Sequence, residues 1–214
     1  MGYLIESGYI LLVVGLTVLA NKKCGLSQTA ARKLIHILIG FVFPIQYHFF
    51  REDAFPLILF PAVISLALFL IARFRLVPSM VNPDNPYGIF YYALGILVLN
   101  VISVCYPAFF AAEGAAIACL ALGDGLAAIP SLILKKTHPL FRKKTVEGTL
   151  LCLLAPIGGI LLLGLAFPAL AIPLPIIPAA ALTATILELF CGRFDNLAIL
   201  FGVGALTALL MGVM

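Results

Sequence analysis

The sequence predicts an all-α polytopic membrane protein, a bundle of about eight transmembrane helices with both termini outside. Three observations support this class. The chain is 64% hydrophobic and only 10% charged, its mean hydropathy is +1.19, and its basic residues fall in alternate loops. In lipid, a charged side chain costs about 3 kcal/mol or more unless it faces protein or water. The few charges that the chain retains are therefore informative.

The spans are predicted from apolar stretches that approach or exceed the roughly 20 residues needed to cross the hydrocarbon core. These stretches are 3–20, 34–50, 54–72, 88–106, 108–134, 149–167, 171–191 and 196–213. The first carries Glu6 and lacks both the positive start and the cleavage site of a signal peptide, so it is expected to remain in the mature chain. Because no polar stretch is longer than a loop, we expect a single integral membrane domain over 1–214.

The basic residues predict the orientation of the bundle. Every Lys and Arg except Arg51 follows an odd-numbered span, and loops rich in Lys and Arg stay in the cytoplasm. This places both termini outside and favours an even number of spans, since dropping an internal span would put basic loops on both sides. The expected location is the plasma membrane of a prokaryote, with the basic loops on its cytoplasmic side.

The second span begins with a cluster of cations and an imidazole. Arg32, His36 and Gly40 are spaced four residues apart and share one helix face, and Lys33 lies beside His36. Such a group suits an anionic phosphate at the cytoplasmic surface. The alternative is an interfacial anchor, in which Arg and Lys extend to the headgroups and His36 is merely hydrogen-bonded.

The fifth span, 108–134, is longer than crossing requires, so a tilt or a break must absorb the excess. Gly123 and Gly125 offer places to break, and Asp124 lies between them. A carboxylate this deep must be neutral, paired or hydrated, which makes it a functional candidate. Glu113 is predicted to lie on nearly the same face about 16 Å away along the axis, where pairing with Asn100 or a hydroxyl would explain it equally well.

The loop 135–148 ends in a second candidate phosphate site. Lys144, Thr145 and Gly148 precede the sixth span, where free N–H groups at a helix start favour phosphate oxygens. The alternative for Thr145 and Glu147 is helix capping.

Acidic residues near the C-terminus complete the set. Glu188 lies in the last part of the seventh span, Asp195 precedes the eighth and Asn196 begins it. Together with Asp124 they offer oxygen ligands for Mg²⁺ at the cytoplasmic end of the bundle, although Asp195 could simply cap the last helix. Paired cations and carboxylates on one side are what phosphoryl or nucleotidyl transfer requires.

Five motifs in order carry a resemblance to a known family. They are Arg32-Lys33-Leu34-Ile35-His36, Gly88-Ile89-Phe90-Tyr91-Tyr92-Ala93-Leu94-Gly95, Gly123-Asp124-Gly125-Leu126-Ala127, Lys144-Thr145-Val146-Glu147-Gly148-Thr149, and Glu188 with Asp195-Asn196. In these motifs the chain resembles the integral membrane polyprenol and lipid kinases, which include dolichol, phytol and farnesol kinases and the CTP-dependent diacylglycerol kinase, relatives of the phosphatidate cytidylyltransferases. The chain departs from the family in lacking the glycine that often follows the third motif.

The resemblance implies transfer of a phosphoryl group from CTP, or another nucleoside triphosphate, to the hydroxyl of a membrane lipid alcohol. The alcohol could be a polyprenol, phytol, farnesol, dolichol or diacylglycerol, and Mg²⁺ or another divalent cation would assist. The implied catalytic residues are Asp124, His36 and Lys144. The implied phosphate ligands are Arg32, Lys33, Lys144, Thr145, Glu147 and Gly148. The implied metal ligands are Asp124, Glu188, Asp195 and Asn196. The residues implied in lipid contact or helix packing are Gly88, Tyr91, Tyr92 and Gly95.

Two other functions stay open at this point. One is a cytidylyltransferase that makes a CDP-lipid from a phosphatidate with the same residues. The other is a small transporter in which Asp124 and Glu113 hold protons or ions, although no inverted repeat is visible and the polar clusters lie near one face. The expected partners are the bilayer, the lipid alcohol and the nucleotide, with no nucleic acid; the alcohol and the oligomeric state are left open.

Overall fold

The computed structural model describes residues 1–23, 25–76, 85–142 and 144–213. Lys143, one of the basic residues of the 135–148 loop, lies outside the described residues. Within the described ranges the fold is a helix bundle with one small β-hairpin. Seven helical segments are long and apolar enough to cross a membrane: Gly2–Lys23, Gln28–Phe50, Ala54–Phe74, Gly88–Cys105, Pro107–Ile133, Val146–Ala166 and Gly192–Met211. They indicate an integral membrane protein, and the predicted helical class is confirmed.

The first half of the bundle consists of α1 (Gly2–Lys23), α2 (Gln28–Gly40), α3 (Val42–Phe50), α4 (Ala54–Phe74) and α5 (Gly88–Cys105). Helices α2 and α3 follow each other across a single residue and act as one span. Helix α2 starts six residues before the predicted span because Ser27 caps it, its side chain accepting a hydrogen bond from the N–H of Ala30 at 3.2 Å.

The long fifth segment is one candidate span made of several helical stretches, so its helix is irregular. A 3₁₀ turn (Pro107–Phe109) leads into α6 (Phe110–Ala118), a π-helical stretch (Cys119–Asp124), α7 (Gly125–Ala127) and α8 (Ile129–Ile133). In a π-helix each N–H bonds to the carbonyl five residues earlier, which widens the turn, and such turns are frequent at functional sites. This segment has the largest buried share of the seven candidate spans, and Asp124 ends its π-helical stretch.

The second half begins with a hairpin of β1 (Pro139–Phe141) and β2 (Lys144–Thr145), followed by α9 (Val146–Ala166), α10 (Ile176–Phe190) and α11 (Asp195–Met211). Helix α10 packs between α9 and α11, and α11 also packs on α5 and α6. The alanines that α6 and α10 contribute to the core allow these close approaches.

The predicted seventh span, 171–191, is helical only over α10, which at 15 residues is shorter than the candidate spans. Its start is delayed because Pro173 and Pro175 lack the N–H that a helix interior needs. A 3₁₀ turn at Pro168–Leu170 and non-helical backbone occupy the preceding residues. The eighth membrane crossing therefore stays a prediction.

Candidate functional site

A polar pocket of about 170 Å³ lies where several helices begin or end. Its lining comes from the starts of α2, α5 and α11, the end of the π-helical stretch, and β2. The lining residues are Arg32, Lys33, His36, Asn85, Gly88, Ile89, Asp124, Lys144, Asp195 and Asn196. The structure thus brings together site residues that the sequence places more than 160 positions apart.

Asp124 holds two basic side chains. The Nζ of Lys33 donates to its Oδ2 and to its backbone carbonyl, each at 2.8 Å, and the Nε2 of His36 lies 3.4 Å from the same Oδ2. The Asp124 side chain is only 6% exposed, and a buried carboxylate is tolerated only when it is paired. The Lys33–Asp124 contact therefore ties the start of α2 to the end of the π-helical stretch.

His36 is fixed on three sides. Its ring packs on the ring of Tyr92, with centroids 4.4 Å apart, and its Nε2 faces the carboxylate of Asp124. The hydroxyl of Tyr92 donates to the backbone carbonyl of His36 at 3.3 Å. Tyr92, which the motif assigned to lipid contact or helix packing, supports the imidazole.

Lys144 reaches the pocket from the hairpin. Its Nζ donates to Oε1 of Glu188, a side chain that is only 2% exposed. Burial by itself lowers the pKa of Lys144, but the nearby carboxylates of Glu188 and Asp124 outweigh it and raise that pKa above the usual lysine value. The other carboxylate oxygen of Glu188 has no hydrogen-bond partner among the described residues. Glu188 is not among the residues that line the pocket. Its contact with Lys144 instead holds the lysine Nζ in position.

The other residues of the fourth motif act on the start of α9. Thr145 caps the helix, its Oγ1 accepting from the N–H of Gly148 at 3.2 Å, and a side chain at Gly148 would clash with the carbonyl of Ala127. Glu147 accepts a hydrogen bond from the backbone N–H of His138 at 3.1 Å. None of the three is among the residues found to line the polar pocket, so their predicted contact with phosphate has no direct counterpart in this geometry.

The second motif joins α5 to α11. The amide of Asn196 donates to the carbonyl of Gly88 at 2.7 Å, a side chain at Gly95 would clash with Leu200, and the ring of Tyr91 lies 5.4 Å from that of Phe194. These contacts hold the starts of the two helices side by side at the pocket.

The acidic residues predicted as metal ligands are spread over the site. Within the described part of the chain, no group of three or more His, Cys, Asp and Glu side chains could hold a metal ion. Asp124 and Asp195 nevertheless line the same pocket. Because Mg²⁺ at phosphate-transfer sites takes one or two carboxylates and completes its shell with phosphate and water, this donor set fits a metal that arrives with a nucleotide.

An apolar cavity of about 110 Å³ adjoins the polar pocket, and the two share Arg32, His36 and Ile89. It runs between α1, the α2–α3 span, α4 and α5. The remaining lining residues are Ile10, Val14, Ile35, Ile39, Val42, Phe43, Gln46, Pro61, Ile64, Leu68, Tyr92, Ala93 and Ile96. Sequence reasoning missed this cavity, because it is formed by the packing of four helices and no local pattern marks it.

A buried chain of polar residues lies at the far end of that cavity. Asn100 donates to the carbonyl of Leu57 at 2.7 Å and to Gln46 at 3.3 Å, and Gln46 donates to Glu6 at 2.7 Å. The sequence signals for this chain were Glu6 inside an apolar span and Asn100, which was weighed as a partner of Glu113 and bonds instead to Gln46 and to the carbonyl of Leu57.

Glu113 lies apart from the polar pocket and accepts a hydrogen bond from the hydroxyl of Ser103. This hydroxyl partner matches the structural alternative weighed for Glu113 in the sequence.

Comparison of the chain with protein-family models, with curated proteins and with solved structures found no match. Function must therefore be argued from the two cavities and the side chains around them.

Proposed function

We propose that the protein is a membrane lipid-alcohol kinase related to the polyprenol and lipid kinases. It would transfer the terminal phosphoryl group of a nucleoside triphosphate, with CTP the expected donor, to the hydroxyl of an alcohol dissolved in the bilayer. One observation carries the proposal: cations and carboxylates from four distant motifs surround a polar pocket that shares lining residues with an apolar cavity.

The cations supply the phosphate-binding part of the proposal. Arg32, Lys33 and Lys144 reach the pocket from two different elements, so a polyphosphate could be contacted from both sides. Charge-assisted hydrogen bonds to phosphate are stronger than neutral ones, and fixed cations stabilise charge on the transferring phosphoryl group. The nucleotide would replace carboxylate partners of Lys33 and Lys144 with its own oxygens.

The carboxylate of Asp124 supplies the acceptor chemistry. The alcohol oxygen attacks the terminal phosphorus, a new P–O bond forms, and the bond from that phosphorus to the bridging oxygen breaks. The nucleoside diphosphate leaves with the bonding electrons, and Asp124 accepts the hydroxyl proton. Mg²⁺, when bound, would neutralise charge on the phosphates. Asp195 and Asn196 are the pocket residues that would hold it, since the Asp124 carboxylate is needed here as the proton acceptor.

The apolar cavity and the basic loops give the proposal its geometry. A lipid alcohol can lie with its chain in the cavity and its hydroxyl near His36, where the cavity meets the polar pocket. The nucleotide would arrive from the cytoplasm, since the loops that follow odd-numbered spans carry the basic residues. The protein would then reside in the plasma membrane of a prokaryote with its site facing the cytoplasm.

The test is product analysis with purified protein in lipid nanodiscs. Protein, Mg²⁺ and each labelled nucleoside triphosphate are incubated with a panel of alcohols that includes farnesol, phytol, a polyprenol and diacylglycerol. Formation of a lipid phosphate together with a nucleoside diphosphate is the expected result. Formation of a CDP-lipid and pyrophosphate from phosphatidate would instead identify a cytidylyltransferase. No nucleotide turnover with any acceptor, together with ion flux in proteoliposomes, would favour the transporter.

A further inference from the structure

The apolar cavity has two unlike ends. At one end it meets the polar pocket at Arg32 and His36, and at the other its wall includes Gln46, Pro61 and Ile96. Its long walls are apolar side chains of α1, the α2–α3 span, α4 and α5. A ligand that fills it must therefore be an amphiphile with a polar head at the polar pocket and a hydrocarbon chain along the cavity.

The far end is held rigidly. Gln46 donates to Glu6 and accepts from Asn100, and all three side chains are almost completely buried. Buried polar groups cost free energy unless they are hydrogen-bonded, so this chain of bonds fixes the amide of Gln46 in place. An amide fixed in this way presents a polar group where a longer hydrocarbon chain would have to continue.

The helix geometry sets the length of the cavity. Its lining on α4 runs from Pro61 to Leu68 and on α5 from Ile89 to Ile96, which in each case is about 10 Å of helix rise. On the α2–α3 span it runs from His36 to Gln46, about 15 Å. An extended chain advances about 1.2 Å per bond, so roughly eight to twelve bonds fit. One water requires about 10–15 Å³ of such volume. The cavity volume of about 110 Å³ therefore has room for several water-sized groups in a row.

We propose that this cavity holds the hydrocarbon chain of the acceptor alcohol and limits the length of that chain. The acceptor is a linear or isoprenoid alcohol with a main chain of about ten carbons, and Gln46 and Ile96 set the limit. The phosphorylation of that alcohol rests on the proposed function, whereas its binding and its length preference do not.

The experiment measures binding and turnover separately. Tritiated primary alcohols from hexanol to eicosanol are partitioned into protein-containing and empty nanodiscs, and the same series is assayed for phosphorylation. The key variant is Ile64→Phe, which fills the cavity at mid-height. Its matched control is Val63→Phe, because Val63 is 57% exposed and does not line the cavity. Ile96→Ala lengthens the cavity while leaving the buried polar chain intact.

The expected result is a binding optimum near decanol in the unmodified protein. Ile64→Phe should lower decanol affinity about tenfold, as expected for excluding two methylene groups, and should move the optimum to shorter chains. Val63→Phe should leave the optimum unchanged, and Ile96→Ala should move it to longer chains. A length optimum without phosphorylation would overturn the kinase and keep the cavity assignment. Binding or turnover whose length dependence is the same in all four proteins would overturn the cavity assignment alone.

Discussion

Asp124 holds the start of α2 in place through its side chain and its backbone carbonyl. Lys33 bonds to both groups, and His36 lies beside the same carboxylate oxygen. The charge of Asp124 is therefore needed for the arrangement of the pocket as well as for the chemistry proposed there.

We expect Asp124→Asn to lower the phosphorylation rate by about 10²- to 10⁴-fold, the range typical of a lost proton acceptor. The matched control is Glu113→Gln on the same long segment, since Glu113 is also buried but bonds only to Ser103 among the hydrogen bonds described. The readout is lipid phosphate formed per unit of inserted protein. Equal activity in the two variants would show that the Asp124 carboxylate does not act as the proton acceptor.

Lys144 and Lys136 provide a second comparison within one loop. Lys144 lines the pocket, whereas Lys136 is exposed. Loss of a charge-assisted contact costs about 2–3 kcal/mol, so Lys144→Ala should reduce kcat/KM for the nucleotide roughly a hundredfold, and Lys136→Ala should have little effect. Equal losses would mean that the loop acts only as a diffuse basic surface. The check is lipid phosphate formed against nucleotide concentration.

The raised pKa of Lys144 leads to a pH prediction. Burial opposes the shift, but the carboxylates of Glu188 and Asp124 outweigh it. A lysine whose pKa is raised by folding contributes stability below its unfolded pKa and loses it as the pH rises through the folded value. The difference in unfolding temperature between the unmodified protein and Lys144→Ala should therefore stay constant from about pH 7 to 9. A steady decline across that range would contradict the shift.

At the scale of elements, the site depends on how closely α2 lies against the π-helical stretch. A side chain at Gly40 would clash with Ala121, so only glycine allows Lys33 and His36 to reach Asp124. The sequence placed Gly40 on the same face as Arg32 and His36, but the reason for a glycine there required the tertiary structure.

We expect Gly40→Ala to destabilise the protein by about 1–3 kcal/mol, the usual cost of overpacking, and to reduce activity as α2 moves away from Asp124. Gly158→Ala in α9 is the matched control, because a side chain there would meet no described atom within 4 Å. Thermal unfolding in nanodiscs and turnover measure the two effects. If the two variants lose the same stability and the same activity, the close approach of α2 to the π-helical stretch does not determine the arrangement of the site.

Helix positions were largely predictable because apolar length is a strong signal in membranes. The excess length of the fifth segment predicted a tilt or a break, and Gly123 and Gly125 were the places proposed for a break. Apolar length alone does not predict the late start of α10, whereas Pro173 and Pro175 do predict an irregular start of the seventh span, because proline cannot continue a helix. Likewise, Thr145 could serve as either a helix cap or a phosphate ligand by spacing alone, and only the geometry shows that it caps α9.

At the scale of the whole molecule, the orientation is open to direct measurement. In a cysteine-free background, we expect a cysteine at His138 to be protected from an impermeant reagent in intact cells and one at Glu52 to react. Both side chains are more than 80% exposed, so burial does not decide the result. Labelling of position 138 from outside would contradict the predicted orientation, and the proposed nucleotide site would then not face the cytoplasm.

The charged side chains in and beside the polar pocket also nearly balance one another. Arg32, Lys33 and Lys144 are balanced by Asp124, Asp195 and the buried Glu188. A bare nucleotide would add several negative charges to a balanced site, whereas its magnesium complex adds fewer. Nucleotide affinity should consequently depend steeply on Mg²⁺ and only weakly on ionic strength, because short, partly buried charge pairs are screened little by salt. The protein would then admit the nucleotide as its metal complex and discriminate against the free anion.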